Sequence, residues 1–160
     1  MLQGIYGVSP QLFSVLFGAN ALGLVIVSQI NGRLVGRVLM RLLLTVGLVS
    51  TAGGGVALLA VAAGVGLISV LPALFVVVSS LGVVLPNATM LALSGQPSTA
   101  GSASALLGVL QYSVGAVVAP LVGLGGARTA LPMALVIAVL GIGALTTFTW
   151  LSRYPMRSIR

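Results

Sequence analysis

The chain has 160 residues, 59% of them apolar, a mean hydropathy of +1.26, and no Asp, Glu, His or Cys. Its seven charged side chains are all arginine, for a net charge of +7. A water-soluble surface needs roughly 25–35% charged residues, so the 4% present here describes an integral membrane protein and excludes hydrolytic triads, carboxylate or imidazole acid–base catalysis, and side-chain zinc, iron or calcium sites.

A hydrocarbon core about 30 Å thick takes roughly 20 apolar residues of helix, and five stretches qualify. The first span covers about 9–30, with Ser9 and Pro10 placed as an N-cap and a first-turn proline. An Arg-bearing loop from Asn31 to Arg41 follows. The second span, about 42–63, contains Gly53-Gly54-Gly55, which is either a close-packed crossing or a soft point. The third covers about 67–93 and holds Pro72 and Pro86; Pro86-Asn87 and Thr89 suggest a bend whose carbonyls face a cavity. A polar loop, Ser94 to Thr99, leads to the fourth span, about 100–124, and Gly125 to Arg128 turns the chain into the fifth, about 129–151. The tail is 152–160. Long, uniformly apolar runs argue against barrel strands, which need alternating polarity over ~9–11 residues. The expected fold is therefore all-α, a single membrane domain of about five helices.

Five spans place the first loop and the tail on one side, with Arg33, Arg37, Arg41, Arg153, Arg157 and Arg160; Arg128 stands opposite. That asymmetry predicts a multi-pass protein of the cell's inner (plasma) membrane with a cytoplasmic C-terminus. Trp150 and Tyr154 suit the interfacial aromatic belt. No positively charged n-region precedes the first span, so no signal peptide is visible; an external N-terminus of this kind fits a chain lacking an earlier helix. Arginines at the edges of apolar runs point to anionic lipid rather than nucleic acid. No metal, cofactor or enzymatic activity is expected.

Within the spans, Ser104, Gly108, Gln111, Gly115 and Ala119 share one face of the fourth helix. The small-residue steps Gly115–Ala119 and Ala119–Gly123 permit close approach, and Pro120 removes a helix hydrogen bond. This stripe is either a packing face or a wall of a substrate cavity that also packs. Asn20 and Gln111 lie near mid-span. An unpaired amide there is costly, so each is expected to face protein or a cavity, bonding to another helix, a ligand or water. Most of spans two and five is expected to meet lipid.

The stretch Tyr6-Gly7-Val8-Ser9-Pro10-Gln11-Leu12-Phe13-Ser14-Val15-Leu16-Phe17-Gly18-Ala19-Asn20-Ala21 resembles the start of the eighth helix of Bcr/CflA-type multidrug efflux transporters, drug:proton antiporters of the major facilitator superfamily. Gln29 to Arg37 resembles the following loop; Pro86 to Thr89 and Gly101 to Gly108 fit the tenth and eleventh helices. The resemblance implies the C-terminal portion of a twelve-helix bundle, its partner being the missing N-terminal half and its cavity lined by the eighth, tenth and eleventh helices. Asn20, Gln111 and Gly115 become substrate-cavity candidates. Gly115, Ala119, Pro120 and Gly123 resemble a copy of the antiporter motif. Gly32, Arg33, Gly36, Arg37 and Arg41 resemble a gating-loop motif without its acidic residue, so no salt-bridge gate is expected there. The implied function is efflux of small apolar or amphiphilic drug-like substrates by alternating access. The competing reading is a non-transporting membrane scaffold or an inactive remnant. Proton coupling needs a titratable group inside the membrane, and this chain has no carboxylate to offer.

Overall fold

Each apolar run forms one long helix, because in hydrocarbon a helix satisfies its own backbone polar groups. The computed structural model describes residues 9–62, 67–94, 99–123 and 130–153. Its helices are α1 (Pro10–Leu34), α2 (Met40–Ala62), α3 (Leu67–Leu93), α4 (Ala100–Gly123) and α5 (Leu131–Arg153). All five are long and apolar enough to cross a membrane.

The N-terminus of α1 is built as its sequence predicts. Pro10 opens the helix, and the Ser9 hydroxyl accepts from the Leu12 N–H at 3.2 Å. Its other end departs from expectation: the helix continues through Asn31, Gly32 and Arg33 to Leu34, residues assigned above to a loop. The connection shrinks to residues 35–39, where Arg37 and Val38 both donate backbone N–H bonds to the Leu34 carbonyl at 3.0 Å. Gly36 adopts φ +84°, the left-handed conformation that only glycine reaches without strain. The fourth span ends at residue 123 and the fifth runs from 131 to 153, past the expected 151. Arg128, Tyr154, Arg157 and Arg160 lie outside the described residues.

Small residues decide which helices meet. A Cβ on Gly55 would lie 3.0 Å from the Ala138 Cα, and one on Gly141 would lie 3.2 Å from the Ala52 Cα. The two backbones are therefore in contact where α2 crosses α5. Such close approach is the main source of helix association in lipid, which offers no hydrophobic drive between helices. One residue earlier on α2, Gly54 faces Val77 and Val76 of α3. Leu58, Val70, Ala73 and Ala134 close the core where α2, α3 and α5 converge.

These contacts make α2 the hub of the bundle, packed on both α3 and α5, while α1 lies along α3 and α4 touches α5 and α3 lightly. The second span is the most enclosed of the five, yet fewer than half of its residues are buried. Its Gly47, Ala52, Gly54 and Gly55 are buried, because each presents a surface flat enough for a neighbouring helix. Span five buries only its Ala134, Ala138 and Gly141 face.

The pairings also fix direction. Asn31 meets Asn87 while Asn20 shares a cleft with Leu71, so α1 and α3 run parallel. Gly47 against Val84 with Gly54 against Val77, and Gly55 against Ala138 with Ala52 against Gly141, make α2 antiparallel to α3 and α5. Arg33, Arg41 and Arg153 consequently share one end of the bundle.

Candidate functional site

Polar side chains in these helices first bond to their own backbone. Asn20 Nδ2 donates to the Leu16 carbonyl at 2.8 Å, and Thr51 Oγ1 to that of Gly47 at 2.9 Å. Such back-bonding lets a short polar chain sit in an apolar helix at little cost. The informative groups are those with capacity left over.

Three lie along the seam between α1 and α3. At the arginine end, Asn31 and Asn87 are 3% and 1% exposed, and Asn87 Nδ2 donates to Asn31 Oδ1 at 2.6 Å. The same Nδ2 reaches the Val83 carbonyl at 2.8 Å, leaving Asn87 Oδ1 buried without a partner. Midway, a Cβ on Gly82 would stand 2.6 Å from the Leu24 carbonyl oxygen, so the two backbones touch. Gly23 likewise lies against Ser79 and Phe75. The Ser79 hydroxyl is buried and unpaired, although its neighbour Ser80 bonds Thr51 of α2 at 2.7 Å.

Towards the other end, the seam opens. Leu16, Ala19 and Asn20 of α1 face Leu71, Pro72, Phe75 and Val76 of α3 across a cleft of about 460 Å³. The Asn20 amide oxygen is buried there without a hydrogen-bond partner. Pro72, inside α3, has no backbone N–H to donate at this level. Phe75 and Val76 also line a smaller pocket of about 270 Å³ with Ser50, Ser79 and Ser80, reaching α2. The α1–α3 pair is therefore tied at one end and parted at the other, with an apolar cleft carrying a few polar groups between. That is the usual composition of a small-molecule site.

Gln111 is not part of this site. It is exposed on α4, as are Ser104, Gly115, Ala119, Pro120 and Gly123. Nothing lies within 4 Å of a Cβ placed on Gly108, Gly115 or Gly123 among the described residues. Within these five helices the stripe forms an uncovered face. Gly32, Arg33, Gly36, Arg37 and Arg41 cluster around the turn between α1 and α2, all exposed. Asn31 and Asn87 were not singled out as a pair from sequence. The signal was present: residues 23, 27 and 31 fall on one face of α1, as 80, 83 and 87 do on α3.

No protein-family model matches the chain, and no solved structure does. The chain is 39% identical over 148 residues to YdgK, an uncharacterized MFS-type transporter of Bacillus subtilis (strain 168); the match covers 91% of this chain and 37% of that protein. The chain thus spans little more than a third of its relative's length. The identity supports membership in the major facilitator superfamily, and five spanning helices fit a fragment of such a transporter bundle.

Proposed function

We propose that the chain is the C-terminal part of a multidrug efflux transporter of the Bcr/CflA type. It would move apolar or amphiphilic compounds across the inner (plasma) membrane by alternating access. The observation that carries this reading is the match to an MFS-type transporter along nearly the whole chain. The Asn20 cleft supports it as a place for substrate, and the uncovered faces of α1 and α4 supply surface for the remainder of the bundle. Arg33, Arg37, Arg41 and Arg153 would lie in the cytoplasmic leaflet beside anionic lipid.

The decisive experiment joins this chain to the part of the Bacillus relative that precedes the match. The chimera is expressed in cells stripped of their main efflux pumps, and accumulation of a lipophilic dye is followed. Lower accumulation than in cells with an empty vector is expected. Unchanged accumulation by a chimera inserted in the membrane would contradict efflux.

A scaffold or inactive remnant is the second reading, favoured by the absence of any carboxylate or imidazole. By either reading the chain alone couples nothing to protons, because arginine stays protonated. Reconstituted by itself, it should show no dye uptake driven by a pH gradient; robust uptake would overturn that statement.

A further inference from the structure

The turn between α1 and α2 gathers arginines that the chain cannot neutralise. Arg33 lies in the last turn of α1, Arg37 in the connection and Arg41 at the second position of α2. All three are exposed, and no acidic side chain exists anywhere to pair them. Arg41 is also badly placed by its own helix. Aligned peptide dipoles leave a positive end at the N-terminus of α2, whose first turn contains no acid. Arg33 and Arg153 sit in last turns, where the same dipoles favour a cation. Arg37 and Arg41 are therefore the pair that an outside anion relieves most.

The surface beside them is apolar. Leu39 is 79% exposed, and from Leu42 an exposed stripe runs along α2 through Val46, Val49 and Val56, spaced to share one face. Gly53 belongs to the same stripe, with nothing within 4 Å of a Cβ placed there. The stripe is about 21 Å long, against ~15 Å for the depth of one leaflet. Guanidinium groups at its head and an uncovered apolar strip beneath them match an amphiphile, not a free ion.

We infer that the α1–α2 turn is a binding site for an anionic phospholipid, with the phosphate held by Arg37 and Arg41 and an acyl chain laid along the α2 stripe. Guanidinium meets phosphate through paired N–H bonds, and the site lies at the depth where arginine reaches headgroups. A zwitterionic lipid fits less well, because its own cation meets a chain of net charge +7 without one acidic side chain to receive it. The inference rests on the proposed seating of this end in one leaflet. Its readout is melting in a disc open on both faces, so a failed efflux or orientation assay would leave it standing.

The purified chain is melted in nanodiscs of phosphatidylcholine, alone or mixed with phosphatidylglycerol, at one ionic strength. Phosphatidylglycerol should raise the melting temperature by about 2–4 °C. Arg41→Gln should lose most of that rise without lowering the melting temperature in phosphatidylcholine alone, where it removes a misplaced cation. Arg153→Gln, at the same end of the bundle but on α5, should keep the rise. Inorganic phosphate added to phosphatidylcholine discs should produce none. Should Arg41→Gln fail to fold, Arg37→Gln, outside the helices, takes its place. No rise with phosphatidylglycerol, or a rise that survives Arg41→Gln, would overturn the inference. So would an equal loss in Arg153→Gln, which means diffuse attraction to the whole charge, or the same rise with inorganic phosphate, which means a free anion and no lipid.

Discussion

Asn87 is the most enclosed polar residue among the described residues, and its amide is the link from α3 to Asn31 on α1. Replacing one member leaves the other buried with an unmet bond, at a cost of about 1–3 kcal/mol, although measured bonds between membrane helices average nearer ~0.6 kcal/mol. Asn87→Leu is therefore expected to lower stability by about 1 kcal/mol, read from loss of helical signal on titration with SDS in mixed micelles. The double variant Asn31→Leu/Asn87→Leu should cost less than the two single losses added together, because neither amide is then stranded. Strict additivity would mean that the bond contributes nothing. This pair also marks where the sequence misleads: Asn31-Gly32-Arg33 has the composition of a loop, and only burial against α3 carries the helix through it.

Element length was legible because it depends on one quantity, apolar residues in a row, measured against a fixed bilayer thickness. Element pairing was not, because small residues license close approach without naming the partner. Gly53, Gly54 and Gly55 show why. At about 100° per residue, three adjacent glycines point in three directions: Gly53 meets nothing within 4 Å, Gly54 faces α3 and Gly55 faces α5. The sequence left a crossing and a soft point equally open; the structure makes two of the three a crossing. Gly55→Leu and Gly141→Leu should each destabilise the bundle by about 1–3 kcal/mol or more through overpacking, whereas Gly53→Leu should be close to neutral. The same SDS titration ranks them, and equal effects at positions 53 and 55 would contradict the α2–α5 crossing. On α4 the small-residue stripe was just as visible, yet it remains uncovered, since spacing alone cannot say whether the partner lies within these five helices.

Over the whole molecule, charge is arranged more simply than packing. With no Asp, Glu, His or Cys, no side chain of ordinary pKa changes its charge between about pH 5 and 8. The melting temperature of the purified chain should accordingly stay flat from about pH 5 to 7, below the range of the α-amino group at about 7.7–8.0, and a slope of several degrees there would contradict this reading. The described arginines gather at one end of the antiparallel bundle, and we propose that this asymmetry sets its orientation in a bilayer. Because the chain has no cysteine, single cysteines placed at its two ends give an unambiguous reading. Ser94→Cys and Ser152→Cys lie at the arginine end, and Ser9→Cys at the other. With a membrane-impermeant maleimide, the first two should label in inverted vesicles only and the third in right-side-out vesicles only. Labelling of all three from the same face, or of any of them from both faces in sealed vesicles, would contradict a bundle that crosses the membrane five times with its guanidinium groups held to the cytoplasmic side.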